Sequence, residues 1–260
     1  MPARSLTIFS TPATEAVLHQ QGLGSLDRIF QKRAAAHVRH NGRAVWKTEL
    51  RGADGRVFTA FVKLSWGRRR WWPRLSDLRT GQVLKSLAVR EWEGLAVLER
   101  LGFYVPERMA ILEEGLLWKR SAVILKAVPP PASLSDMILD GSWRSLPLED
   151  RSLILEEVAR TLRRMHKSGW AWRSISTRHV FPQRGAENGW EIWLIDCEGV
   201  HRARSTEILH RDFRRFLRAL NHDRADEQTL EMMRTFSSQL VFPGTSGEHK
   251  SRSKSARRAA

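Results

Sequence analysis

The sequence predicts an α+β protein with two lobes, the first rich in strands and the second helical. Three observations carry that reading. Between residues 38 and 128, short β-prone segments alternate with turn residues and are broken by one amphipathic helix. Pro129, Pro130 and Pro131 then remove three backbone donors in a row and stiffen the chain, which marks a hinge. Beyond the hinge, apolar residues recur at three- and four-residue spacings, the period of helices packed on a core. The chain thus divides into an N-terminal extension (1–37), a strand-rich lobe (38–128), a helical lobe (129–243) and a basic tail (244–260) that composition marks as disordered.

The extension holds one short helix between Ala16 and Gln31, started by Thr14-Glu15 and interrupted by Gly22 and Gly24. Arg43 to Leu50 is a strand, Gly52 to Gly55 a turn with Asp54-Gly55 as its hairpin signal, and Arg56 to Leu64 the returning strand. On that second strand Val57, Thr59, Phe61 and Lys63 share a face by the two-residue period. Lys63, at the strand's end, either points to solvent or binds phosphate. Ser65 to Arg74 (SWGRRRWWPR) is read as irregular because of Gly67 and Pro73. It is either a solvated loop with tucked tryptophans or a surface where arginines meet anions.

Leu84 to Leu101 is the clearest helix of the first lobe, with Glu91 beside its apolar face and Gly102 at its end. Ile111-Leu112 and Leu116 to Trp118 are short strands, and Ser121 to Ala127 is a buried one. In the second lobe, Ser133 caps a short helix whose first turn holds Asp136, and Pro147 opens a longer one through Lys167. Leu153, Ile154, Val158, Leu162 and Met165 line the apolar face of that longer helix. Trp170 to Phe181 reads as a loop, and Trp190 to Asp196 (WEIWLID) as a buried strand that delivers Asp196 at its end. Two helices follow, Asp212 to Leu220 and Glu227 to Leu240.

Composition narrows the partners. The chain has 44 Lys and Arg against 28 Asp and Glu, a net charge of +16, and 42% hydrophobic residues, so it is globular and suited to an anionic partner. Nucleotide, nucleic acid, acidic glycolipid and anionic membrane all meet that description. The one cysteine, Cys197, excludes an intrachain disulfide and points to a reducing, cytoplasmic setting. No signal peptide or apolar run long enough for a span is expected, while basic residues leave peripheral contact with a membrane surface open.

Phosphoryl transfer from ATP needs a lysine on the α/β-phosphates, a helical glutamate to position it, and an aspartate at a strand end for Mg²⁺. Lys63, Glu91, the proline hinge and Asp196 occur in that order. No G-x-G-x-x-G loop precedes Lys63, so the turn at Gly52 and Gly55 is the candidate phosphate cover. The sequence has no Cys/His metal cluster and no hydrolase nucleophile elbow.

With these residues in place, the chain resembles the Kdo/WaaP lipopolysaccharide kinases, a bacterial branch of the protein-kinase-like fold. The carrying segments are Phe61–Leu64 (FVKL), Arg90–Pro106 (REWEGLAVLERLGFYVP), Met165–Phe181 (MHKSGWAWRSISTRHVF) and Trp193–Asp196 (WLID). The resemblance implies a two-lobed, protein-kinase-like fold and an ATP- and Mg²⁺-dependent phosphotransferase acting on a sugar hydroxyl of lipopolysaccharide core, heptose or Kdo. It implies Lys63, Glu91 and His179 at the nucleotide, with Glu93 a less suited partner for Lys63. Asp196 becomes the metal ligand, and Ser174, Arg173 and Asp196 become the catalytic positions. His166 packs structurally, and Asp212 of the sequence His210-Arg211-Asp212-Phe213 buttresses the catalytic loop rather than supplying its base. The expected partners are ATP and an anionic glycolipid or sugar acceptor at the cytoplasmic side of the inner membrane; nucleic acid is not expected. The chain departs from the family at Ser174, where the family has its catalytic Asp, and at Trp172, where the family has His. That departure motivates the alternative of a pseudokinase that binds ATP or a partner without efficient transfer.

Overall fold

A computed structural model describes residues 5–35, 38–40, 42–68, 85–115, 118–129, 132–185, 189–203 and 206–238. The strand-rich part forms a six-stranded antiparallel sheet from β1 (Ser5–Phe9), β2 (Val38–His40), β3 (Arg43–Arg51), β4 (Val57–Arg68), β5 (Arg108–Glu114) and β6 (Trp118–Lys126). Its strand order is β1-β5-β6-β4-β3-β2. The two-residue period sorts side chains between two cores. Ala60, Val62 and Leu64 of β4, with Ala122 and Ile124 of β6, face α1 (Pro12–Gln20) and α2 (Leu26–Gln31). Val123 and Leu125 face the other way, toward α3 (Leu87–Arg100) and the second lobe. Lys63 belongs to this second face, whose outer end is open: Val57 and Phe61 are exposed.

Two sequence expectations change here. The segment before residue 38 is not set apart from the first lobe. Ser5–Phe9 pairs with β5 as the edge strand, and Leu18, Leu23 and Ile29 are buried beneath the sheet. β4 continues through Gly67 to Arg68 in register with β6, so Ser65–Arg68 is strand rather than irregular loop. Trp66 packs edge-on to Phe30. The rest of that Arg/Trp segment, Pro130 and Pro131 of the hinge, Leu116-Leu117 and the basic tail lie outside the described residues.

The second lobe is built on α6 (Leu148–Lys167), after α4 (Leu134–Leu139) and α5 (Ser142–Ser145). Ser133 and Asp136 form a reciprocal capping box, each side chain accepting from the other's backbone N–H. Ile154, Leu155, Val158, Leu162 and Met165 of α6 are buried, whereas Leu153, expected inward, is 40% exposed. Two small antiparallel pairs lie beside α6: β7 (Trp170–Trp172) with β10 (Val200–Arg202), and β8 (Val180–Arg184) with β9 (Trp190–Leu194). α7 (Thr206–His222) and α8 (Glu227–Ser238) complete the lobe, and Trp143 is fully buried with Nε1 donating to Thr229 at 2.9 Å. One apolar cluster runs from Ile111 and Val123 of the sheet through Leu95 and Leu98 of α3 to Val158 of α6. The cleft between the lobes therefore has a continuous apolar back.

Candidate active site

Lys63 is fixed in place by β4, which is hydrogen-bonded to β3 on one side and β6 on the other, with Val45 and Val123 as its cross-strand partners. Its Nζ donates to Glu91 Oε1 at 2.6 Å and lies 3.4 Å from Asp196 Oδ1. Glu91 is 3% exposed in the first turns of α3, whose N-terminus is capped by Ser86 accepting from Val89. Glu93 instead pairs with Lys85 at the surface. Asp196 follows β9 in a left-handed backbone conformation, φ 59° and ψ 49°. Asp is one of the few residues that enters this region readily, and the conformation ends the strand while turning the carboxylate toward Lys63.

Helix α3 reaches the Asp196 turn because residue 94 is glycine. A Cβ there would stand 2.2 Å from the Cys197 carbonyl oxygen. This close approach brings Glu91, from the first lobe, to the carboxylate of the second.

His179 sits in a single 3-10 turn, Thr177–His179, with its carbonyl accepting from Ile195 N at 3.1 Å. Its Nε2 lies 3.3 Å from Asp196 Oδ2, and its ring stacks on buried Trp172 with centroids 5.9 Å apart. The turn is anchored from below by the hydroxyl of Thr177 donating to buried Asp223. The strand before the loop is held by Asp212, which is fully buried in the middle of α7. Its Oδ2 accepts from Trp172 N at 2.7 Å and lies 3.3 Å from His166 Nε2. His166 also packs edge-on against Phe213.

These charges are coupled. Burial opposes the Lys63 ammonium, but Glu91 and Asp196 outweigh it and hold the lysine above its usual range. Burial pushes the Glu91 carboxyl up to about 7 against the pull of Lys63. Burial would raise Asp196 too, yet Lys63 and His179 keep it below its ordinary value. Burial lowers the His179 imidazole against the pull of Asp196, so the ring is neutral at neutral pH.

Lys63, Glu91, His179 and Asp196 line one cavity of about 410 Å³, together with Arg43 and Glu198. Val45, Ala88, Val123 and Ile195 supply its apolar wall. Arg43 crosses the cavity mouth, both Nη atoms 3.4 Å from Glu198 Oε1. Burial and Asp196 push the Glu198 carboxyl up, with Arg43 opposing. Neither Arg43 nor Glu198 was singled out from sequence. The signal for Arg43 was the two-residue period, since it lies two places from Val45, the cross-strand partner of Lys63.

Ser174 and Arg173 are not among the residues that line this cavity. Ser174 Oγ is buried without a hydrogen-bond partner among the described residues and lies against Gly199, where an added Cβ would meet it at 2.2 Å. Arg173 N donates to Gly199 O at 3.1 Å. The Gly52–Gly55 turn is also misplaced as a phosphate cover. It closes the β3–β4 hairpin at its far end, six residues along β4 from Lys63, about 20 Å away at strand rise. The turn at the Lys63 end joins β2 to β3 at Gly42, whose φ of 76° suits glycine and whose carbonyl accepts from Trp66.

The donor set fits a polyphosphate with a hard divalent cation. Lys63 is a charged donor for phosphate oxygens. Asp196 and Glu198 are two carboxylates at one cavity, and Mg²⁺ takes one or two protein carboxylates with substrate phosphates completing its shell. The His179 nitrogen is a poorer donor for that ion.

A sequence model of the lipopolysaccharide kinase (Kdo/WaaP) family matches residues 40–236. A search of curated proteins returns no match. Among solved structures, "WaaP in complex with acyl carrier protein" aligns with a TM-score of 0.60 at 18% identity, covering 90% of this chain and 92% of that one. The likeness is one of fold, and the two-lobed, protein-kinase-like architecture expected from sequence is the architecture observed. Among the described residues, no helix is long and apolar enough to cross a membrane.

Proposed function

Since the chain belongs to the lipopolysaccharide kinase (Kdo/WaaP) family, we propose that it transfers phosphate from ATP to a sugar hydroxyl of lipopolysaccharide core, a heptose or Kdo. The observation that carries this reading is the shared contact of Lys63 Nζ with Glu91 at 2.6 Å and Asp196 at 3.4 Å inside one cavity. Glu91 keeps Lys63 charged and aimed into the cleft, where it neutralises the phosphates of a bound nucleotide. Asp196 and Glu198 would hold Mg²⁺, which when bound offsets charge on the phosphate oxygens. Such transfer depends mainly on positioning and charge, so a chain with serine at 174 retains much of what the reaction needs. His179, at the cavity and 3.3 Å from Asp196, is the candidate proton acceptor in place of a base at 174.

A second reading has its own observation. The Ser174 hydroxyl packs on Gly199 instead of facing the cavity, which suits a pseudokinase that binds ATP without efficient transfer. The test is incubation of purified protein with Mg-ATP and deacylated core oligosaccharide, with products read by mass spectrometry. A phosphorylated oligosaccharide formed by wild type and not by Asp196→Ala supports the enzyme. Wild type that binds ATP and yields no product leaves the pseudokinase.

A further inference from the structure

Helix α7 carries Arg211, Arg214, Arg215 and Arg218 in the eight residues 211–218 (RDFRRFLR). Like charges three and four positions apart oppose a helix, each pair by roughly 0.2–0.5 kcal/mol. The stretch contains several such pairs, and its one acid does not relieve them. Asp212 is fully buried and already engaged by Trp172 N and His166, with Arg215 Nη1 3.4 Å from its second oxygen. Arg211, Arg214 and Arg218 are exposed and make no ion pair among the described residues.

The stripe adjoins the catalytic loop. Asp212 holds the amide of Trp172, and the next residue is Arg173. Burial holds the Arg215 guanidinium below its ordinary value despite Asp212, and Arg211, Arg218 and Arg173 all press it the same way. Four arginines, Arg173, Arg211, Arg215 and Arg218, therefore share one field beside the loop that must receive the acceptor. Among the described side chains of α7, Phe213, Phe216 and Leu220 are buried in the core and Leu217 packs partly buried against it. The Arg211–Arg218 stretch thus offers no aromatic platform for bases and no apolar wedge for a bilayer.

We propose that the Arg211–Arg218 stripe, with Arg173, is the docking site for the phosphate and carboxylate groups of the acceptor saccharide, an identification that rests on the phosphotransferase reading. Guanidinium forks match both groups bidentately. The glycan is thereby anchored outside the ATP cavity, with its hydroxyl directed to the Trp172–His179 loop.

The test compares wild type with Arg211→Ala/Arg218→Ala, two exposed positions whose truncation leaves the core intact. The probes are deacylated, phosphate- and Kdo-bearing core oligosaccharide and the same glycan after dephosphorylation and carboxyl reduction. The double variant is expected to bind the charged glycan about tenfold more weakly, while its thermal shift with Mg-ATP stays at the wild-type value. Neutralised glycan is expected to bind both proteins equally weakly. Equal affinity of the two proteins for the charged glycan overturns the proposal, as does an oligothymidylate or a phosphatidylglycerol vesicle that displaces the glycan at lower concentration than the glycan itself. Binding that follows the prediction without phosphate transfer keeps the docking site and removes the enzyme. Transfer with the acceptor KM unchanged in the double variant does the reverse.

Discussion

Lys63 reaches Glu91 across 28 residues of sequence, Nζ to Oε1 at 2.6 Å, and the glutamate it meets is 3% exposed. Replacing the lysine by an apolar residue leaves a buried carboxylate without its cation. Lys63→Met is expected to lower stability by about 1–3 kcal/mol at pH 8, at the low end for a broken buried pair because the lysine is itself partly exposed. The loss should shrink toward pH 6, where Glu91 takes a proton. Urea unfolding at both pH values checks this.

Glu91 also sets a pH signature. Its folded-state value of about 7 lies above the ordinary 4.5, so between those values the folded chain binds the proton more tightly than the unfolded chain. Its contribution is therefore complete below pH 4.5 and is lost as pH rises through 7. Measured against Glu91→Gln, wild-type stability should fall by up to about 3 kcal/mol from pH 4.5 to pH 8. A difference that stays flat or rises with pH contradicts the assignment.

Gly94 is the point where α3 touches the Asp196 turn. Alanine is the better helix former by about 1 kcal/mol, so on propensity alone Gly94→Ala should stabilise. The 2.2 Å approach of its Cβ to the Cys197 carbonyl predicts the opposite. We expect a net loss of about 1–3 kcal/mol by thermal unfolding and a smaller Mg-ATP thermal shift, because the turn that carries Asp196 is displaced.

The order Lys63, Glu91, hinge, Asp196 was legible because each residue ends or faces a regular element whose period is written in the apolar residues. The buttress role of Asp212 came from the resemblance to the kinase-like fold and not from local pattern, and Asp212 sits within α7, not at its start. What sequence reading lost were long-range pairings. Ser5–Phe9 is exposed along most of its length, so no apolar alternation announced an edge strand. The Gly52–Gly55 turn carried the strongest turn residues but lies at the wrong end of the hairpin, while β2, three residues long, supplies the turn beside Lys63. Asp223, which anchors the turn bearing His179, has no local pattern at all, since its partner Thr177 is 46 residues away.

Restoring the family's acid at 174 should not restore a base. The Ser174 side chain lies against Gly199: a Cβ added at Gly199 would stand 3.0 Å from Ser174 N and closer still to the Ser174 hydroxyl. Ser174→Asp is expected to lower the melting temperature and to leave the rate of phosphate transfer within about threefold of wild type. A tenfold or larger gain in rate contradicts this orientation of the loop.

The cavity between Lys63 and Asp196 is proposed to be a nucleotide phosphate site. Thermal unfolding of wild type and Lys63→Ala, with and without saturating Mg-ATP, tests it most directly. Mg-ATP is expected to raise the wild-type Tm by several degrees, and the shift is expected to be abolished or cut to a small fraction in Lys63→Ala. An equal shift in the two proteins, or none in wild type, contradicts it.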